Sequence, residues 1–377
     1  MATTYYTFDN IGSGVRAVLT ANSGLYVDSG VTLGSTDDYG VEGTGVSLRL
    51  SIYGTVAGNS GGVSLSSGSG VLRVYDSGAL TSATSSSEAL LIGGGATYQV
   101  YNDGSILGET GVRFEGAVDA RIVNRGTIEG IESGIVSEAS TTVTSSISVL
   151  NYGEINVLRS IPAIAFGGQE ENVVFNDGRI NGYIYLGAGD DTYVGTTAKP
   201  IDEGLLKYLL ASQNSPLSVS SYVFGGDGVD TFIGGKATDL FQGEADADVL
   251  NGGAGKDYLT GGLDKDSLSG GDGADVFTIS EVEDSTLSNP DRILDFSLKQ
   301  KDQLAFSSSV DANTLLGGSQ DFDFIGSTKF SGDAGELRFR YKGDLTYLEG
   351  NIDADKTAEF RVIFEGKIAF TEDSFLL

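Results

Sequence analysis

Residues 225–278 divide without a gap into six nine-residue units: GGDGVDTFI, GGKATDLFQ, GEADADVLN, GGAGKDYLT, GGLDKDSLS and GGDGADVFT. They follow the template G-G-x-G-x-D-x-U-x, where U is a large apolar residue. Position six is aspartate throughout: Asp230, Asp239, Asp248, Asp257, Asp266 and Asp275. Position eight is Phe232, Phe241, Leu250, Leu259, Leu268 and Phe277. An earlier partial copy, GAGDDTYV at 187–194, adds Asp191 and Tyr193 in the same places. A helix does not tolerate glycine turns at this density, because each glycine costs backbone entropy and exposes peptide groups. A coil that alternates a glycine turn with a very short strand does.

The spacing also dictates a chemistry. The first six residues of each unit form a turn whose successive backbone carbonyls point to one side, and the last three form a strand with one inward apolar residue. Two units complete one turn of the coil, so each unit lies beneath the unit two places later. Carbonyls and an aspartate from each of two stacked turns then enclose one ion, supplying the six or more oxygens that calcium prefers. Magnesium, which retains water and demands a tighter octahedron, fits less well.

Composition points the same way. Asp plus Glu number 52 against 23 Lys plus Arg, a formal net charge of −29, which excludes partners that need a basic face, nucleic acid and anionic membrane among them. The chain has no cysteine and no histidine, so disulfides, thiol nucleophiles and the usual transition-metal ligands are absent. What remains is hard-oxygen chemistry. The opening MATTYYTFDNIG lacks the basic and apolar regions of a secretory signal peptide, and no apolar run approaches a membrane span.

The nonapeptide array resembles the repeats-in-toxin (RTX) family of calcium-binding β-rolls. The resemblance implies about four to five calcium ions, at the pairs Asp230 with Asp248, Asp239 with Asp257, Asp248 with Asp266, and Asp257 with Asp275. A fifth pair, Asp191 with Asp239, requires residues 195–224 to loop out, with one short amphipathic helix over 202–212. The implied ligand set adds Asp227, Asp246, Asp264 and Asp272 to the position-six aspartates. Backbone ligands come from Gly187, Gly189, Gly226, Gly228, Gly235, Gly253, Gly255, Gly262, Gly271 and Gly273. Some units depart from the template. Ala237, Asp246 and Asp264 replace a fourth-position glycine, and Glu244 replaces a second-position one. Aspartate tolerates the left-handed region better than alanine does, so the turns holding Ala237 and Glu244 are expected to deviate most.

A looser repeat occupies 24–182. Its anchor glycines are Gly30, Gly54, Gly78, Gly104, Gly126, Gly153 and Gly178, at intervals of 24, 24, 26, 22, 27 and 25 residues. Two places before the anchoring Asn, Asp or Ile stand Tyr26, Leu50, Val74, Val100, Ile122, Val149 and Val174. Four places after it stand Thr32, Val56, Leu80, Ile106, Ile128, Ile155 and Ile180. Period-2 segments around a corner glycine predict a coil of three strands per rung, stacked so that rungs share one core. Asn102, Asn124, Asn151 and Asn176 would stack as an internal ladder at one corner. Arg49, Arg73, Gln99 and Arg121, with Arg125 nearby, form an outward basic column that reads either as a solvated strip or as a ligand surface. The N-x-G-x-I phrases resemble the right-handed parallel β-helices of autotransporter passengers and filamentous-haemagglutinin-like exoproteins.

The phrases at 281–306, 335–366 and 371–377 resemble the module that follows the β-roll in serralysin-type metalloproteases, which caps the roll and carries an uncleaved type I secretion signal. Asp291, Asp295 and Asp302 are read there either as further calcium ligands or as turn and cap residues. The zinc motif H-E-x-x-H cannot occur in a chain without histidine. The expected fold is therefore all-β: a right-handed parallel β-helix over 1–186, continuing into a calcium-binding parallel β-roll over 187–280, with a C-terminal β-rich cap over 281–377. The function expected is a secreted calcium-binding structural protein of the cell surface or extracellular matrix: an adhesin, surface-layer component or self-assembling exoprotein. Its expected partners are calcium, itself or cell-surface glycans, and the type I secretion machinery. The alternative is a polysaccharide-binding or polysaccharide-modifying protein of lyase or epimerase type, built on a carboxylate pair or an arginine base.

Overall fold

The structure is a computed structural model that describes residues 2–83, 87–138, 146–159, 162–196, 219–307, 309–313 and 320–376. The chain forms two compact units, Met1–Ser220 and Ser221–Leu377. Among the described residues there is no α-helix; strands dominate, with two single-turn 3-10 segments at Val282–Ser285 and Glu372–Ser374. The helix expected over 202–212 lies outside the described residues. The strand Val219–Asp227 begins within the stretch expected to loop out. Ser221 and Val223 are buried there while Tyr222 and Phe224 are less so, which is the period-2 pattern of a strand.

The first unit is a parallel β-coil with three strands per rung. On one side Leu25 pairs in register with Leu50, Leu50 with Leu72, Leu72 with Val100, Val100 with Ile122, Ile122 with Val149 and Val149 with Val174. A second column runs Leu33, Val56, Leu80, Ile106, Ile128, Ile155 and Ile180. The third runs Val41, Val63, Leu90, Val112, Ile135, Ile164 and Ile184. All of these side chains are at most 2% exposed. Each contributes about 1.5–3 kcal/mol on burial, so the rungs are held by one continuous apolar interior rather than individually.

Three positions differ from the expected columns. Leu25 faces inward where Tyr26 was expected and Leu33 takes the place of Thr32, while Val74 is buried but two residues out of register, so that Leu72 holds its place in the column. The cause is turn length. Val27 and Val74 align with Ile52 and Asn102, so the DSG turns at 28–30 and 76–78 carry additional residues before their glycines. Those turns close through Val31 N–H to Asp28 O (3.1 Å) and Gly78 N–H to Tyr75 O (2.6 Å).

The asparagine ladder forms as expected. Asn102 Nδ2 donates to Asn124 Oδ1 (2.8 Å), Asn124 to Asn151 (2.8 Å) and Asn151 to Asn176 (2.9 Å). The same nitrogens also donate to the carbonyls of Thr127, Glu154 and Arg179. Asn102, Asn124 and Asn151 are fully buried, and these bonds satisfy amides that would otherwise be costly to bury.

In the second unit two stacks of short parallel strands face each other. Phe232, Leu250, Leu268, Ile293 and Phe364 form one inward column, and Phe241, Leu259, Phe277, Leu304 and Phe375 the other. Within the repeats each pairing step, such as Thr231 to Val249 to Ser267, advances by two nine-residue units. The columns do not stop with the repeat. Arg292–Ile293 and Gln303–Phe306 stack on it directly, and Phe360–Glu365 and Phe375–Leu376 follow. A three-stranded antiparallel sheet, Glu336–Lys342, Leu345–Asn351 and Phe360–Glu365, completes the unit. Phe296, Phe364, Phe370 and Phe375 seal its end, with ring centroids 4.9–5.5 Å apart. On the other face of that sheet the buried Glu349 accepts hydrogen bonds from Arg338, Arg340 and Arg361.

Candidate metal centre

Each nonapeptide is a turn followed by a three-residue strand, and the strand's inward apolar residue pulls its position-six aspartate into the interior two residues earlier. Asp230, Asp239, Asp248, Asp257, Asp266 and Asp275 are each at most 1% exposed. They stack in two ladders. In one, the Asp230 N–H donates to Asp248 Oδ1 (2.8 Å), that of Asp248 to Asp266 (2.8 Å) and that of Asp266 to Asp291 (3.0 Å). In the other, Asp239 donates to Asp257 (2.7 Å), Asp257 to Asp275 (2.9 Å) and Asp275 to Asp302 (3.1 Å). The four pairs expected within the array are thus the four stacked neighbours.

One oxygen of each carboxylate is occupied by this ladder, and the other defines the site. Oδ2 of Asp248, Asp257, Asp266 and Asp275 is buried and accepts no hydrogen bond. Among the described residues no arginine or lysine forms a salt bridge with any of these four. A Cβ placed on the first glycine of a unit would strike this oxygen: Gly243 against Asp248, Gly252 against Asp257, Gly261 against Asp266 and Gly270 against Asp275. At Gly243 the same Cβ would also meet the carbonyl oxygen of Gly261. The space kept free of side chain is therefore bounded by carboxylate and carbonyl oxygen.

The electrostatics match. Burial pushes Asp248 up to about 9, Asp257 to about 8, Asp266 to about 7 and Asp275 to about 6. The ladder N–H bonds pull each value down, and neighbouring carboxylates push it up. Asp291, deeply buried beneath Asp266, is raised well above the ordinary carboxylate range. A stack of buried acids without internal counter-charge is stable when protonated or when cations are supplied. The donor set is hard oxygen throughout, which suits calcium; the residues present fit that ion.

The turns themselves are nearly uniform. Positions two and four have positive φ at Gly226 and Gly228, Glu244 and Asp246, Gly253 and Gly255, Gly262 and Asp264, and Gly271 and Gly273. The partial copy at Gly187 and Gly189 does the same. The turn holding Gly235 and Ala237 is the exception, since neither residue has positive φ. There the Gly235 N–H bonds Asp239 Oδ2 (2.9 Å), an oxygen that the regular turns direct elsewhere. Alanine at position four has therefore changed its turn, as its steric cost predicts. Glu244 has not; it takes φ 83° and keeps the regular geometry.

The second-row acids lie apart from the ladders. Asp227, Asp246, Asp264 and Asp272 are exposed. Asp246 accepts from Gly228 N–H (3.1 Å) and Asp264 from Asn289 Nδ2 (3.0 Å). In the first unit Asp191, 1% exposed, accepts from Asn172 N–H (2.6 Å).

Of the three acids singled out beyond the repeats, Asp291 and Asp302 extend the two ladders. Their signal was present in sequence as the D-x-U phrases Asp291-Arg292-Ile293 and Asp302-Gln303-Leu304. Asp295 instead closes the last turn, accepting from Gly270 and Gly271 N–H (2.9 Å each). A further acidic trio, Asp353, Asp355 and Glu359, was not singled out. There Glu359 accepts from Ile352 N–H and Asp355 from Thr357, contacts that build their loop.

The protein-family model described as Peptidase M10 serralysin C terminal matches residues 151–376. Among solved structures, one subunit of the mannuronan C5-epimerase of Azotobacter vinelandii is 31% identical, covering 39% of this chain and 77% of that one, with a TM-score of 0.29. A second subunit of that enzyme is 27% identical, covering 42% and 81%, with a TM-score of 0.26. No curated protein matches the chain.

Proposed function

The chain belongs to the peptidase M10 serralysin C-terminal family, and on that premise we propose that it is a secreted calcium-binding structural protein of the cell surface or extracellular matrix. Its β-helix over 1–186 would be presented outside the cell by a roll over 187–280 and a cap over 281–377. The observation that carries this reading is the pair of buried aspartate ladders, in which Oδ2 of Asp248, Asp257, Asp266 and Asp275 accepts no hydrogen bond. Calcium would be held by the position-six aspartates, by Asp291 and Asp302, and by carbonyls of the glycine turns. When bound, the ion supplies positive charge that the roll's own side chains do not.

Export by a type I system follows the same physics. At low cytosolic calcium the ladder acids oppose folding, and the chain would pass an exporter unfolded. At extracellular calcium, sites in the 10⁻⁴–10⁻³ M range would fill, each contributing about 1.4 kcal/mol where calcium stands tenfold above its Kd. A chain without histidine or cysteine lacks the commonest catalytic side chains, which favours a structural role.

Calcium titration of the full chain followed by circular dichroism tests the assignment. Asp257→Asn removes the anionic oxygen but keeps an amide of the same shape, and is expected to raise the midpoint calcium concentration by about tenfold, the effect of ~1.4 kcal/mol. Asp272→Asn, on an exposed acid, is expected to leave it within a factor of two. Equal midpoints for wild type and Asp257→Asn would remove the ladder from the calcium site.

A further inference from the structure

The outward basic column expected at Arg49, Arg73, Gln99 and Arg121 is two lines: register puts Arg49, Gln99 and Arg121 in one and Arg73 in the next, beside Tyr101. The Arg73 guanidinium lies 4.3 Å over the Tyr101 ring, so these side chains cover one another as a flank of the coil. Beneath the partial copy at 187–194 the coil is built differently.

Residues 167–175, GGQEENVVF, have the length and layout of a nonapeptide, with Asn172 in the sixth place and Val174 in the eighth. The backbone makes the bonds of the repeats. Ala188 N–H donates to Gly168 O (3.0 Å), as Ala254 does to Gly235, Leu263 to Glu244 and Asp272 to Gly253. Thr192 N–H donates to Asn172 O (2.9 Å), as Val249 does to Asp230, Ser267 to Asp248 and Val276 to Asp257. Asn172 N–H donates to Asp191 Oδ1 (2.6 Å), which is the ladder bond. Val174 pairs with Tyr193, and both are fully buried. The stretch thus has the backbone pairing of a roll turn, inside the segment read as β-helix.

The sixth residue reverses the chemistry. In the repeats the aspartate Oδ2 and the first carbonyl of the turn above border one void, as at Asp248 with Gly261. The corresponding pair here is the Asn172 amide and the carbonyl of Leu186, which holds the first place of the turn 186–194. Asn172 Nδ2 donates to Leu186 O (3.3 Å) and to Glu170 O (3.2 Å). The residue is 0% exposed, and its Oδ1 accepts no hydrogen bond. Its neighbours fix the nitrogen, because carbonyls only accept and the reverse orientation would set three oxygens together. The turn differs too, since neither Gly168 nor Glu170 has positive φ. The turn of Gly235 and Ala237 shares that trait, and there too the sixth side chain is bonded within its own turn, Gly235 N–H to Asp239 Oδ2 (2.9 Å). An amide satisfies carbonyl oxygen without charge, whereas an anionic oxygen in that place needs a cation or a proton.

We propose that the turn at 167–175 holds no calcium, the Asn172 amide taking the part that the ion takes in the repeats, so that the coil stays folded through this turn when calcium is withdrawn. The residue in the sixth place thereby decides, turn by turn, which part of the chain answers to calcium. The inference rests on the ladder aspartates being calcium ligands, and adds where their control ends. The competing occupant is a cation held by Asp191 and by the Glu170 carboxylate, which lies against Gly168.

Hydrogen exchange of the full chain over 166–176, in EGTA and in millimolar calcium, separates the two. The wild-type segment is expected to be equally protected in both. Asn172→Asp is expected to lose at least about tenfold protection there in EGTA and to regain it in calcium, with 96–135 unchanged. Should that variant fail to fold, Asn172→Ala carries the test: without the donor, protection is expected to fall equally with and without calcium. Calcium-dependent protection of 166–176 in the wild type, or undiminished protection of either variant in EGTA, would overturn the proposal. Residues 225–278 are read in the same samples. A calcium response in both segments overturns this proposal alone, and a response in neither overturns the calcium assignment on which it rests.

Discussion

A single carboxylate oxygen carries most of the argument. In Asp248, Asp257, Asp266 and Asp275, Oδ1 accepts an N–H from the turn two units earlier, and Oδ2 is left buried against the first glycine of its own unit. The sign of the resulting pH dependence follows. Burial raises these groups above their unfolded value near 3.9, to between about 6 and about 9. The folded metal-free roll therefore binds more protons than the unfolded chain. Its stability is greatest below pH ~4 and is lost progressively as pH rises through the folded values. In calcium-free buffer the chain is expected to show more strand by circular dichroism at pH 5 than at pH 9. A metal-free roll that instead gains strand with rising pH would contradict burial as the dominant cause.

At the scale of the element, the turn decides what the strand presents. Glycine-to-glycine spacing was sufficient to place Ile106, Ile128, Ile155 and Ile180 in one column, because their turns have equal length. It misplaced Tyr26 and Thr32, because the DSG turns hold extra residues and side-chain period 2 turns a one-residue slip into a change of face; Val74, slipped by two residues, stays inward but in the neighbouring column. Thr32 was the one polar residue among the fourteen expected inward positions, and the structure puts Leu33 there. The roll was more legible, since its turns and strands have constant length. What sequence could not settle was which irregular turn would change: Glu244 accepts positive φ, while the turn of Ala237 abandons it. The D-x-U phrases at Asp291 and Asp302 were readable in principle, but irregular spacing separates them from the array.

The asparagine corner gives an element-scale test. Asn124→Ala would leave the Asn102 amide and the Asn151 carbonyl oxygen without their ladder partner in the interior. It is expected to cost about 1–3 kcal/mol in denaturant unfolding. A cost below about 0.5 kcal/mol would assign the ladder to packing alone.

For the molecule as a whole, stability divides between two kinds of interior. The first unit is held by apolar columns that need no ion. The roll alternates its apolar columns with buried acids, of which Asp248, Asp257, Asp266 and Asp275 lack a salt-bridge partner among the described residues, so calcium is expected to decide whether it folds. Hydrogen exchange resolved along the full chain, with and without calcium, tests this most directly, because it reports each unit separately. With EGTA, amides over 225–306 are expected to exchange as an unfolded segment while those over 96–135 stay protected. Millimolar calcium should protect the roll, including the ladder amides of Asp230, Asp239, Asp248 and Asp257. Equal protection of 225–306 in EGTA and in calcium would contradict the account, because the buried aspartates would then be stable without a cation.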